Sequence, residues 1–103
     1  MLLAFSVAPT TGDESGGVAE AVAAAVRVVR ASGLPHETTS MFTTIEGEWE
    51  ECFEVVRRAT EAVVAVAPRV SLVIKADIRP GFTGQLRAKV ERVDRILGEQ
   101  NPA

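Results

Sequence analysis

The sequence predicts a single α+β domain of 103 residues, in which four strands and three helices follow one another in the order β-α-β-β-α-β-α. Three observations lead to this prediction. Apolar residues alternate with a period of two in the first and last strand segments, and they recur every three or four residues in three other segments. Glycine and proline separate these segments. A chain of this length is large enough for one hydrophobic core but not for two.

The first half of the chain begins with a strand and a helix. The strand, Leu2–Ala8, is apolar on both faces, which is typical of a central strand that is covered on both sides. A loop from Pro9 to Gly17 follows, and Asp13 or Ser15 in this loop is expected to cap the next helix. That helix spans Val18–Ala31. It is predicted to bury an apolar stripe made of Val18, Ala21, Val22, Ala25, Val26 and Val29.

A hairpin and a second helix come next. His36–Thr39 and Thr43–Gly47 are rich in threonine and are predicted as two short strands, because only a hairpin turn fits between them. A helix is then expected from Glu48 to Val66, and Pro68 ends it. The buried side of this helix is predicted to contain Trp49, Cys52, Phe53, Val56, Ala59, Val63 and Val66.

The longest strand is predicted over Arg69–Arg79, where side chains alternate between two faces. Leu72 and Ile74 are expected to pack under the helices, and the opposite face carries Ser71, Val73, Lys75 and Asp77. A last helix is expected from Thr83 to Leu97. Its apolar residues are spaced by four, three and four positions and are Leu86, Val90, Val93 and Leu97.

The first six elements form the split β-α-β-β-α-β arrangement of ferredoxin-like domains, and the last helix is an addition to it. This arrangement predicts an antiparallel four-stranded sheet with the two long helices on one face. The opposite face is half apolar and would be left bare, although monomers rarely expose a patch of that size. We therefore expect a homodimer that pairs through its sheet faces, with polar pockets at or near the interface.

Composition and charge exclude several classes of function. The net charge is -3 and no basic stripe is visible, which argues against nucleic-acid binding. One cysteine and one histidine allow neither an internal disulfide nor a Cys/His metal site. The apolar stretches are too short for a membrane span, and no signal peptide is recognisable, so a cytoplasmic location is expected. No strong catalytic motif is present, which predicts a protein that is not an enzyme and requires no cofactor.

The densest polar cluster surrounds the second short strand. Thr44 and Glu46 could line a small-molecule pocket, with Gly47 allowing a ligand to approach the backbone closely. A plain strand end before an acidic helix start is the equal alternative for Glu46. Lys75 and Asp77 lie two positions apart on one strand and therefore point the same way, either as a simple ion pair or towards a ligand.

Three runs of residues resemble motifs of one known family. Met41–Gly47 resembles the M-x-T-x-I-E-G hairpin of the small thiamine-binding proteins. Ile74–Arg79 is similar to the I-K-x-D-x-R pattern of their last strand, and Leu86–Val93 to the L-x-x-K-V-x-x-V pattern of their terminal helix. The resemblance extends over nearly the whole chain in order and length. The first loop departs from it, because Thr10–Gly17 is richer in glycine and acidic residues than is usual in the family.

The resemblance implies a ferredoxin-like subunit that pairs through its sheet, often into dimers of dimers. Such proteins bind thiamine or its hydroxymethylpyrimidine moiety without turning it over, and the cationic thiazolium ring of thiamine suits an acidic pocket. We expect Glu46 to accept a hydrogen bond from the aminopyrimidine, with Thr43 and Thr44 as neighbouring hydrogen-bonding groups. Further candidates for the interface pocket are Ser6, Lys75 and Asp77. A regulatory module that senses a small molecule, or a small enzyme on the same dimeric fold, remains the alternative.

Overall fold

The structure is a computed structural model that describes residues 1–10 and 17–100 of the chain. Its seven elements lie in the predicted order, and each begins and ends within three residues of the predicted bounds. The expected cap at Asp13 or Ser15 lies outside the described residues. The elements are β1 (Leu2–Pro9), α1 (Gly17–Ala31), β2 (His36–Thr38), β3 (Thr43–Glu46), α2 (Trp49–Val64), β4 (Val70–Asp77) and α3 (Gln85–Gln100).

The four strands form one antiparallel sheet in the order β2-β3-β1-β4, which confirms the ferredoxin-like fold. In β1, Phe5 lies opposite Thr43 of β3 and Ile74 of β4, whereas Leu2 lies opposite Glu46 and Asp77. Directly opposed residues in a sheet point to the same side, and neighbours along a strand point to opposite sides. The row of Phe5 faces α1 and α2, and the row of Leu2 faces away from them, on what we call the second face.

The core lies between the sheet and the two helices α1 and α2. Small residues dominate the helix side of this core, and a helix that presents alanine and valine can approach a neighbouring helix or sheet closely. Val22, which the α1 stripe was expected to bury, is instead 45% exposed. The most deeply buried side chains are Leu3, Phe5 and Ile45 from the sheet and Ala21, Val29, Cys52, Val56, Ala59 and Val63 from the helices.

The buried side of α2 is narrower than the sequence pattern indicates. The prediction that Trp49, Phe53 and Val66 are buried is wrong, because they are 52%, 38% and 58% exposed. Trp49 and Phe53 lie one turn apart on a flank of α2 and stack on each other, with ring centroids 5.5 Å apart. Val66 follows the end of the helix at Val64 and therefore no longer shares its packed face.

The helix-facing side of β4 is also more open than expected. Leu72 and Ile74 point to the same side of the sheet as Phe5, yet they are 40% and 39% exposed, so the prediction that they pack under the helices is wrong. β4 is an edge strand, and α1 and α2 pack mainly on each other and on the central β1. The alternation of β4 is as predicted, but the helices cover the side chains of this edge strand only in part.

Cys52 is fully buried in this core, and the burial raises the pKa of its thiol. The thiolate is the reactive form, so we expect the native protein to react with a disulfide reagent at least about a hundredfold more slowly than the chain in concentrated guanidinium chloride. Both rates are measured from the absorbance change as the reagent reacts with the Cys52 thiol. The unfolded chain, which exposes its single thiol, gives the reference rate. Rates within tenfold of each other would show that the thiol is accessible in the folded protein.

None of the helices within the described residues is long and apolar enough to cross a membrane.

Candidate functional site

The start of α3 is held on the second face by Glu46, the last residue of β3. Glu46 is only 9% exposed. One carboxylate oxygen accepts a hydrogen bond from the backbone N–H of Gln85 at 3.0 Å, and the other accepts one from that of Leu86 at 3.2 Å. The first N–H groups of a helix have no partner within the helix, and they carry a partial positive charge that attracts an anion. Glu46 therefore caps α3 and fixes it to the sheet.

This contact bears on the role expected for Glu46. A carboxylate whose two oxygens both accept backbone N–H groups is engaged by the protein itself and is less available to an aminopyrimidine. Gly47 next to it is likewise part of the packing, since a Cβ at this position would lie 3.3 Å from the Leu34 side chain and 3.4 Å from the sulfur of Cys52. The binding role of Glu46 stays a prediction, and its structural role is the one observed here.

The structure brings most of the candidate residues onto the second face and leaves one of them out. Thr43 lies in the row of Phe5 on the helix-facing side, where its hydroxyl is 3.5 Å from that of Thr38. Thr44 and Lys75 both lie opposite Ala4 and therefore share the second face. Five candidates lie on that face, in three neighbouring rows of residues that run across the strands. The first row contains Glu46 and Asp77, the second contains Thr44 and Lys75, and the third contains Ser6.

A cavity of about 210 Å³ lies between the second face and α3. Leu2 and Asp77 form its sheet side. Four residues of α3 line the cavity on its other side. They are spaced by three, one and three positions, which places them on one face of that helix. They are Gln85, Ala88, Lys89 and Arg92.

The segment between β4 and α3 completes this cavity with Arg79 and Phe82. The guanidinium carbon of Arg79 lies 3.6 Å from the centre of the Phe82 ring, a cation–π contact that orients both side chains. Gly81 has a φ of 84°, which favours glycine, and it allows the chain to turn between the two residues. The sequence reasoning missed Phe82, although its spacing of three from Arg79 across a Pro-Gly turn was a signal that the two could meet.

The cavity is basic, in contrast to the chain as a whole. Three cationic side chains, Arg79, Lys89 and Arg92, face one carboxylate, Asp77, whereas the net charge of the chain is -3. The acidic pocket that would suit a thiazolium ring is therefore not found here. An open depression on the other flank of α3 measures about 430 Å³, and Glu46, Arg87 and Glu91 are among its lining residues.

The densest group of ion pairs lies elsewhere, on the outer surface of α2. Glu54 pairs with Arg57 at 2.6 Å and with Arg58 at 2.8 Å, and these hydrogen bonds hold the pKa of its carboxyl below the ordinary value. All of these side chains are more than 40% exposed, so the group is a solvated helix surface. Within the part of the chain that the structure describes, no group of three or more His, Cys, Asp or Glu residues could hold a metal ion.

Comparison with known proteins assigns the chain to a family. Residues 3–94 match the family model of thiamine-binding proteins. The chain belongs to that family. The match includes the hairpin, last-strand and terminal-helix motifs, and it confirms the resemblance seen in the sequence. In the structure these motifs supply Glu46, Asp77 and Lys89, which lie around the start of α3.

The chain is also similar to individual proteins. A UPF0045 protein of Mycobacterium bovis is 56% identical over 98 residues, which are 94% of each chain. A domain of unknown function, DUF77, from Bacillus cereus has a solved structure that is 34% identical, covers 88% of this chain and 86% of its own, and superposes with a TM-score of 0.78. A candidate thiamine biosynthesis/salvage protein of Thermotoga maritima has the same fold at 24% identity, with a TM-score of 0.69 over 89% of this chain and 100% of its own.

Proposed function

We propose that this protein binds thiamine or its hydroxymethylpyrimidine moiety, without turning it over, in the cavity between the second face and α3. The proposed class of ligand is based on membership in the thiamine-binding family. The description of the Thermotoga maritima neighbour, a candidate thiamine biosynthesis/salvage protein, supports the same chemistry. We propose that the protein acts in the cytoplasm, in the transport, salvage or sensing of this ligand. The proposed binding requires no cofactor.

The size and charge of the cavity favour the pyrimidine moiety over whole thiamine. Pockets for drug-sized ligands measure about 300–1,000 Å³, so a cavity of about 210 Å³ suits a single small ring. A cationic thiazolium ring would meet three cationic side chains there. The aminopyrimidine has no such charge, its exocyclic amino group can donate to the Asp77 carboxylate, and its ring can lie against Phe82, which is 46% exposed.

The same face is proposed to pair with a second copy of the chain. A monomer of 11.0 kDa ordinarily exposes about 5,600 Å², and this chain exposes 7243 Å². The excess, about 1,600 Å², is roughly twice what one partner buries in a standard interface. Val73 is 50% exposed on the second face, midway along the edge strand β4 and next to the candidates Ser6 and Lys75. A homodimer through the sheet faces would place the binding cavity near the interface.

The exposed side of α3 supports a homotetramer as the larger assembly. Val90, Val93 and Leu97 are 56%, 48% and 50% exposed, and their spacing of three and four residues is that of a helix pairing with another helix. A second interface of this kind would account for the other half of the excess surface.

Calorimetric titration with hydroxymethylpyrimidine and with thiamine tests the proposed function. We expect hydroxymethylpyrimidine to bind more tightly than thiamine. Asp77→Asn should lower its affinity about tenfold or more, because the charged acceptor of a hydrogen bond is lost. Asp94→Asn makes the same charge change at an exposed position of α3 and serves as the control. The recovered ligand should give an unchanged NMR spectrum.

The proposal fails if neither compound binds at millimolar concentration. It also fails at this site if Asp77→Asn and Asp94→Asn have equal effects on the affinity.

A further inference from the structure

We infer that the cavity selects a phosphorylated form of its ligand, namely a phosphomonoester of hydroxymethylpyrimidine. This inference rests on the proposed function and adds to it the charge of the ligand. Three cationic side chains face a single carboxylate in this cavity of about 210 Å³. A neutral pyrimidine would leave this positive charge without a partner. A phosphate group attached to the hydroxymethyl carbon would supply the missing anion.

The cationic groups are arranged as an anion site requires. Lys89 and Arg92 lie three positions apart on α3, so they are neighbours on the helix face that lines the cavity. Lysine offers a compact ammonium group, and arginine offers a planar fork that can donate two hydrogen bonds to one phosphate. Arg79 is held in place by its stacking on Phe82, so less side-chain freedom is lost when it donates to an anion.

Side chains provide the positive charge of this site, since two backbone N–H groups at the start of α3 are already engaged. The N-terminus of a helix is a ready-made place for a phosphate, but the N–H groups of Gln85 and Leu86 at the start of α3 already bind Glu46. The anion is therefore left to Lys89 and Arg92, one turn further along the helix.

The two walls of the cavity also give the ligand a direction. Asp77 belongs to the sheet wall, and Lys89 and Arg92 belong to the helix wall. A carboxylate attracts the amino group of the pyrimidine and repels a phosphate, whereas the cations of the helix do the reverse. The phosphomonoester has both groups on neighbouring carbons of one ring, so the amino group can face Asp77 while the phosphate, on its methylene arm, extends to the cations of the helix wall.

Calorimetry with hydroxymethylpyrimidine and its phosphomonoester as separate probes tests the inference. We expect the phosphomonoester to bind at least about tenfold more tightly, and we expect this ratio to fall as the salt concentration rises. The double substitution Lys89→Gln and Arg92→Gln should bring the ratio below about threefold. Arg87→Gln removes one positive charge from the opposite flank of α3, and the ratio should stay at tenfold or above.

The outcomes separate this inference from the proposed function. If hydroxymethylpyrimidine binds and its phosphomonoester binds no better, the inference is overturned and the proposed function stands. A ratio that falls equally in the double variant and in Arg87→Gln also overturns it, because the phosphate then responds only to the overall charge. If neither probe binds, the proposed function itself fails.

Discussion

Replacing Glu46 with glutamine is expected to release α3 from the sheet. The substitution keeps the size of the side chain but leaves one acceptor oxygen, and the new amide N–H₂ group faces a backbone N–H at the start of the helix. Two charge-assisted hydrogen bonds and the favourable interaction with the helix dipole are lost or weakened. We expect the free energy of unfolding to fall by about 1–3 kcal/mol.

The effect should be concentrated in α3. This helix provides about a third of the helical residues of the structure, so its loss should be visible in the far-ultraviolet circular dichroism. Hydrogen exchange should accelerate over residues 85–100 and remain slow in α1 and α2. Glu50→Gln, at an exposed position in the first turn of α2, is the matched control and should change neither measurement. Full protection of α3 in Glu46→Gln would contradict the capping role.

Release of α3 would also open the proposed binding cavity, because Lys89 and Arg92 belong to that helix. The affinity for hydroxymethylpyrimidine should therefore fall in Glu46→Gln although Glu46 does not line this cavity. A direct contact between Glu46 and the ligand would give a different result, in which affinity is lost while the exchange protection of α3 is retained. The two readouts together distinguish a positioning role from a binding role.

The order and bounds of the elements could be predicted because they depend on local patterns. Alternation and helical spacing are properties of a few neighbouring residues, and both survive in the structure. The exposure of β4 could not be predicted in this way. Alternation shows that Leu72 and Ile74 share a face, but whether a helix covers that face depends on where α2 lies across the sheet, which no local pattern contains.

The candidate site was predictable in part for the same reason. Thr43 and Thr44 are adjacent in one strand, so alternation alone requires that their side chains point to opposite faces, and only Thr44 joins Lys75 and Asp77. The contact of Glu46 with α3 spans about 40 residues of sequence and has no local signature. The cations of α3 were visible in the sequence, but their position beside Asp77 follows from that same long-range contact.

Replacing Val73 with glutamate is expected to convert the assembled protein into a monomer. The wild-type protein should have a mass of about 22 kDa or a multiple of it in solution, against 11.0 kDa for one chain. Val73 is half exposed on the second face, midway along the edge strand β4, where sheet-to-sheet pairing would bury it. A carboxylate between two stacked sheets loses its hydration at a cost of several kcal/mol, and an ion pair with the neighbouring Lys75 recovers only part of that cost.

Size-exclusion chromatography with light scattering at micromolar concentration measures this change directly. Val64→Glu is the control, because Val64 is 54% exposed on α2, in the layer on the other side of the sheet. Leu97→Glu distinguishes the two assemblies, since it should reduce a tetramer to a dimer by disrupting only the α3 stripe. A wild-type mass of 11.0 kDa would overturn the proposed interface. If Val73→Glu gives the monomer and also weakens ligand binding while circular dichroism shows the fold intact, the second copy contributes to the site.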